Sequence, residues 1–307
     1  MRTLHFTSLA MGSILLLAQE KVPAPAVPAR MIVTVEARHD KEVPVLNQGD
    51  VMVFQKNERL RVTDLAPYQG NHAALELFIL IDDASATSLG SQLNDLRQFI
   101  DTQPPEASIG IGYMRNGAVS IAQSLTADHS MAAKALRLPL GSPGVDPSPF
   151  LALSDLIKLW PGSPARHEVL FVTSGVDPLG GALLNPYLDA AIEHAQRAGI
   201  VVYAIYTPNA GHFGHSFYQI NWGQNHLAQI AEETGGEAYM LGFGPPVSFE
   251  PYLKEVADHL AHQYLVSFLV RPQGKAGFQS VRLTTEVPNA ELVAADKVYV
   301  PAGRAQR

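Results

Sequence analysis

Residues 77–90 read LFILIDDASATSLG. Five consecutive apolar residues, Leu77 to Ile81, run straight into two carboxylates, Asp82 and Asp83, and then into small and hydroxylated side chains. An unbroken apolar run of this length fits a strand covered on both faces. Acid and hydroxyl groups at its end mark the rim of a binding site, and they raise the question of which aspartate is a ligand. If Asp82 is the ligand, the alternate positions are Ala84 and Ala86, which have no donor oxygen. If Asp83 is the ligand, they are Ser85 and Thr87, and the run becomes D-x-S-x-T. Coordination chemistry selects Asp83 and leaves Asp82 to cap the strand end or to form a nearby ion pair.

The strand is followed by a helical pattern in LGSQLNDLRQFIDTQ, with Leu89, Leu93, Leu96, Phe99 and Ile100 on one face. SIGIGYM and VSIAQSL read as short strands, the second a candidate antiparallel edge. HEVLFVTSG and IVVYAIYTP read as further buried strands. Helical segments stand between them: HSMAAKALRLP, PFLALSDLIKLWP, NPYLDAAIEHAQRAG, QNHLAQIAEETGG and SFEPYLKEVADHLAHQ. Strands alternating with helices of this length predict a doubly wound α/β fold around a mostly parallel sheet. Ligands of such sheets sit at the carboxyl ends of the strands, an address Asp83 and Ser174 share.

Segments of different character flank this core. MIVTVEAR and VMVFQKNERLRVTDL alternate polar and apolar residues, the latter as a hairpin turning at KNER. QYLVSFLVRP, FQSVRLTTEVP and AELVAADKVYVP predict three strands at the other end. Neither set buries much alone, so the N- and C-terminal strands are expected to join in one small antiparallel β-sandwich unit. Ahead of them, a mostly apolar run from Phe6 to Ala18 fits the h-region of a secretory signal peptide ending near residue 18, or an uncleaved N-terminal anchor as the alternative. A Pro/Ala linker follows over residues 19–30. The expected organisation is therefore signal 1–18, linker 19–30, β strands 31–70, α/β core 71–263 and β strands 264–302, with the folded part extracytoplasmic.

Bulk chemistry narrows the function. Hydrophobic residues make up 47% and charged residues 17%, an ordinary folded composition. A formal net charge of −7 argues against nucleic acid, since no basic stripe replaces phosphate counterions. With no cysteine, disulfides, Cys-ligated zinc and thiol nucleophiles are excluded.

The order of parts resembles the von Willebrand factor type A (VWA) domain over residues 71–263, and in particular secreted acidobacterial VWFA-related proteins. The echoes are ILIDDASAT, SPFLALSDLIKLWP, HEVLFVTSGVDP, AIEHAQRAGIVVYAIY, LAQIAEETGGEAY and QYLVSF, in that order. The resemblance implies a Rossmann-like α/β fold and a protein-binding or adhesion function. It also implies a metal-ion-dependent adhesion site of D-x-S-x-S, a second-loop Thr and a T-D-G turn, suited to Mg²⁺ or Mn²⁺. Mapped here, the ligands are Asp83, Ser85 and Thr87, with Ser148 in the second loop beside Asp146. The turn reads Thr173-Ser174-Gly175, so a hydroxyl replaces its carboxylate, and Asp177 is a compensating acid. Two states stay open: an ion held by Asp83, Ser85, Thr87, Ser148, Ser174 and Asp177, or a metal-free remnant serving as a structural or scaffolding module of the cell envelope. Thr87 and Ser88 also suit helix capping alone.

Other chemistries are weaker. His212, His215 and His226 lack a zinc spacing such as H-E-x-x-H. Phe213, Phe217, Tyr218 and Trp222 sit in what reads as a long aromatic loop suited to partner contact or to packing on the core. Ser174 has no G-x-S-x-G elbow, and no phosphate or dinucleotide loop is present, so an enzyme is not expected. The expected partner is a protein or surface ligand, with membrane contact only through an uncleaved N-terminus.

Overall fold

The computed structural model describes residues 25–38, 42–70, 73–142, 144–145, 147–210, 214–240, 242–273 and 275–301. The expected signal segment and the first half of the linker, residues 19–24, lie outside them, and residues 27–30, expected as linker, open the first strand instead. Among the described residues no helix is long and apolar enough to cross a membrane.

The chain begins with three strands, β1 (Val27–Ala37), β2 (Val51–Gln55) and β3 (Glu58–Pro67). β2 and β3 form the expected hairpin, turning at Lys56 with φ +56°. The α/β unit follows: β4 (Leu75–Asp82), α1 (Leu93–Asp101), β5 (Ala107–Arg115), β6 (Ala118–Thr126), α2 (His129–Lys134), α3 (Pro149–Leu159), β7 (Arg166–Thr173), α4 (Pro186–Ala198), β8 (Ile200–Tyr206), α5 (Phe217–Thr234), β9 (Ala238–Tyr239) and α6 (Glu250–Ala261). Its sheet runs β6-β5-β4-β7-β8-β9. All pairings are parallel except β5–β6, so VSIAQSL is an antiparallel edge.

Strand β4 shows why the opening run is apolar throughout. Successive side chains point to opposite faces. Leu77, Ile79 and Ile81 enter a core with α1, α2 and α6, whereas Phe78 and Leu80 enter a second core with α3, α4 and α5. Both faces are dry, so every position is apolar. The chain moves outward from β4 to β5 and β6, then returns to place β7 on its other side. That reversal opens a crevice at the carboxyl ends of β4 and β7, the switch point of a doubly wound sheet.

The tail is more divided than its three-strand reading. It holds β10 (Gln263–Val270), β11 (Gly277–Ser280), β12 (Arg282–Thr285), β13 (Ala290–Ala294) and β14 (Lys297–Val300). β10, β12 and β13 join the N-terminal strands in a six-stranded antiparallel sheet ordered β12-β2-β3-β10-β1-β13. β11 and β14 form a two-stranded ribbon, and Val298 and Val300 share that sheet's apolar core.

Candidate functional site

At the crevice, Asp82 and Thr173 terminate adjacent strands. The Thr173 hydroxyl donates to Asp82 Oδ2 at 2.7 Å, and the Ala84 amide donates to Oδ1 at 2.8 Å. Burial, opposed by those two hydrogen bonds, pushes the Asp82 carboxyl up to about 6. Asp82 and Ser148 line one small cleft with Met114 and Asn116.

Asp83, selected in sequence as the metal ligand, faces elsewhere. Arg137 grips it with both nitrogens, Nη1 to Oδ1 at 2.7 Å and Nη2 to Oδ2 at 2.9 Å, and the Leu140 amide adds a third bond at 3.3 Å. The guanidinium is itself fixed, 3.7 Å above the Tyr113 ring and donating to Leu138 O. Planar bidentate pairing of this kind is the strongest way a protein neutralises a carboxylate without a metal.

The remaining candidates are placed as follows. Ser85 is buried, and its Oγ has no hydrogen-bond partner among the described residues. Its backbone pairs with Asn209 in an antiparallel bridge, and Ala86 N–Pro208 O and Ala210 N–Ala84 O bonds extend that clasp. Thr87 is exposed and opens a 3₁₀ turn (Thr87–Ser91) that lacks any side-chain cap, so the capping role is not taken up. Ser148 caps α3 by accepting from Leu151 N, and it donates to Asp177 Oδ2 at 2.7 Å. Asp177 is fully spent. Oδ1 accepts from Leu179 N and Gly180 N, and Oδ2 accepts from Ser148 and from Asn185, the cap of α4. Ser174 Oγ accepts from Val176 N, and the turn lies sealed beneath α5, where Gly175 and Gly223 backbones meet. Asp146 lies outside the described residues.

The structure therefore brings together Asp82 with Thr173, and Ser148 with Asp177. It does not gather Asp83, Ser85, Thr87, Ser148, Ser174 and Asp177 as one ligand set. A hard divalent ion needs about six oxygen ligands with lone pairs to give. As the side chains stand, Asp83 and Asp177 already have protein donors on both oxygens and Thr87 points to solvent, an arrangement that leaves few free lone pairs for Mg²⁺ or Mn²⁺. Arg137 was missed because it lies 54 residues away, in the irregular segment after α2, with no motif of its own.

The aromatic loop is also corrected. Phe217, Tyr218 and Trp222 are the opening turns of α5, capped by Ser216 accepting from Gln219 N. Phe213 and His212 lie outside the described residues. His226 is buried, its Nδ1 3.3 Å from Gly175 O and its Nε2 accepting from the Trp222 indole at 3.0 Å. Burial lowers its pKa, so it is a neutral, satisfied core histidine. His215 Nε2 lies 2.8 Å from Asn209 O. Both His226 ring nitrogens are engaged, so it is not placed as a base for Ser174.

No family model matches the chain, and no curated protein matches it by sequence. Among solved structures it is similar to an aerotolerance-related membrane protein from Bacteroides fragilis NCTC 9343 carrying multiple mutations to serines, at 15% identity and TM-score 0.45, over 61% of this chain and 98% of that one. It is also similar to a von Willebrand factor type A protein from Catenulispora acidiphila, at 11% identity and TM-score 0.44, over 91% and 75% of the two chains. A third likeness is to manganese-loaded TRAP protein from Plasmodium vivax, at 10% identity and TM-score 0.44, over 80% and 98%. At these identities the fold is defined by its own strand order and connections. Those give the chain the Rossmann-like α/β architecture that the VWA resemblance leads one to expect.

Proposed function

We propose that the chain is a non-enzymatic, exported protein-binding module that engages its partner through the rim at the carboxyl ends of the parallel strands, without a metal ion at that rim. The supporting observation is where large apolar side chains are left in solvent. Of fourteen such residues among those described, ten lie on loops and helix starts of this rim. Leu138, Leu140 and Val145 follow α2, on a segment whose 140 and 142 amides donate to Asp83. Leu179, Leu183 and Leu184 follow β7, Phe217 and Tyr218 open α5, and Phe243 and Val247 follow β9. Leu183 and Val247 are 94% and 95% exposed, and the Phe217 and Phe243 rings lie 5.1 Å apart.

Single exposed apolar residues are ordinary, but their concentration on one edge marks an interaction surface. Aromatic and branched anchors of this kind carry most of the energy in protein interfaces. The apolar run at residues 6–18 supports export.

Site-specific photocrosslinking tests the reading. Crosslinkers at Leu184 and Val247 should form a discrete adduct with a partner from the native extract, unaffected by chelator. A crosslinker at Leu159, exposed on the far end of α3, should not. Adducts from Leu159 alone, or loss of the rim adduct in chelator, would overturn it.

A further inference from the structure

Away from the rim, three side chains from separate parts of the fold converge where the antiparallel sheet meets the α/β unit. Glu36 comes from the end of β1, Glu237 from the lead-in to β9, and His259 from the last turn of α6. One ligand atom from each lies within 4.8 Å of the others, and His259 Nε2 is already 3.3 Å from Glu36 Oε1. We propose that Glu36, Glu237 and His259 form a binding site for a divalent transition cation of the Zn²⁺ type, clamping the antiparallel sheet to the α/β unit.

Donor chemistry selects the class of ion. One imidazole nitrogen and two carboxylate oxygens match three-protein-ligand zinc sites, with a fourth position left for water. Ca²⁺ and Mg²⁺ want six or more oxygens and are poorly served by this set. Ligand atoms arranged tetrahedrally at zinc distances sit roughly 3.4 Å apart. The Glu36–His259 pair already has that spacing, and the other separations need only side-chain adjustment of about 1.4 Å or less to reach it.

Electrostatics point the same way. Burial first, then the charges of Glu237, Glu291 and Glu255, pushes the Glu36 carboxyl up to about 7. Glu237 is raised by burial and by Glu255.

An independent observation comes from Tyr239. It is 5% exposed, and its hydroxyl has no hydrogen-bond partner among the described residues. Tyr239 ends β9 two residues after Glu237, and burial, followed by the charges of Glu237 and Glu255, acts on its phenol. A buried phenol left unsatisfied beside several acids is costly. A water on the fourth coordination position would give it a partner.

The test uses the tag-free full chain near pH 7, titrated with Zn²⁺ by calorimetry and with Co²⁺ by visible absorption, where tetrahedral nitrogen–oxygen coordination gives intense ligand-field bands. One equivalent of each ion should bind, with the Co²⁺ bands present and Mg²⁺ giving no competing heat. Glu237→Gln removes an exposed ligand without disturbing the core and should weaken binding by tenfold or more. His259→Gln should abolish the bands, with thermal unfolding verifying that the variant is folded. Asp83→Asn should change neither readout, which separates this site from the rim. Absence of binding in the wild type, or binding indifferent to Glu237→Gln and His259→Gln, overturns the proposal.

Discussion

Two groups of carboxylates, one at the rim and one at the sheet junction, meet burial in opposite ways. At the rim, Asp83 has both oxygens on Arg137 and Asp177 has four donors, so each acid's demand is met within the chain. At the junction, Glu36 and Glu237 lie among other acids, with His259 Nε2 3.3 Å from Glu36 Oε1. Spacing in sequence marks the first group as the metal site. Acids crowded beside an imidazole mark the second. What recruits a cation is the interaction that the folded chain fails to supply, and a motif does not record that.

A third acid sharpens the contrast by using a proton. Glu168 on β7 is buried, and desolvation, opposed by Arg166, pushes its carboxyl up to about 8 from an ordinary 4.5. The folded chain therefore holds a proton that the unfolded chain releases above pH 4.5. Its stabilising contribution is complete below about pH 4.5, declines between 4.5 and 8, and is gone above 8. The slope approaches ~1.4 kcal/mol per pH unit where only the unfolded form has ionised. Urea unfolding of the wild type should lose stability across that window, and Glu168→Gln, which keeps the shape and cannot ionise, should flatten the curve. A wild-type curve that is already flat would mean Glu168 is ionised and paired.

Next in size is Arg137. Its side chain is 42% exposed while Asp83 is 3% exposed, so removing the cation strands a buried charge. Breaking a buried pair costs about 3–5 kcal/mol, and solvent access to the guanidinium trims that to about 2–3. Arg137→Met should lose that much, and adding Asp83→Asn should recover most of it. The comparison breaks if Mg²⁺ rescues Arg137→Met, since that would show a metal site merely displaced by arginine.

Much of the α/β unit was legible because its physics is local and periodic. Leu77 to Ile81 needed only two dry faces, and Gly199 and Gly235 close α4 and α5 in left-handed conformations as the stop signals imply. The site was less legible because it depends on which partner reaches a group first. Nothing near Asp83 announces Arg137, and the D-x-S-x-T spacing favoured the acid whose side chain turns to a guanidinium over the neighbour that meets Thr173. The start of α5 was misread because Gly223 and its polar neighbours Gln219, Asn221, Gln224 and Asn225 look like loop. Gly223 instead reflects a helix lying directly on a turn, and the polar side chains its outward side. Glu36, Glu237 and His259 carry no shared motif, and only the fold brings them together.

That reading of α5 is testable at Gly223. A Cβ there would meet Ser174 O at 2.2 Å and Val176 N at 3.1 Å, both backbone atoms that cannot swing away. Alanine improves helix propensity by up to about 1 kcal/mol. Forcing the helix off the turn costs about 1–3 kcal/mol. Gly223→Ala should therefore be destabilising by about 1–2 kcal/mol net in thermal unfolding, the reverse of its effect on an isolated helix. A gain in stability would mean that α5 does not rest on the Thr173–Gly175 turn.

The smallest effect separates a remnant from a working site most directly. Ser85 is buried with its Oγ unpartnered, in the clasp against Asn209, whose Oδ1 is likewise without a partner among the described residues. A hydroxyl that ligates an ion or bonds a neighbour costs 1 kcal/mol or more to remove, whereas an unsatisfied buried hydroxyl carries its own desolvation penalty. Ser85→Ala removes that penalty and leaves a cavity smaller than a methyl group. The variant should match or exceed wild-type stability, by no more than about 1 kcal/mol, with or without Mg²⁺. A loss that appears only when Mg²⁺ is present would mean that the serine serves an ion after all, and that the rim and the junction differ less than their charges imply.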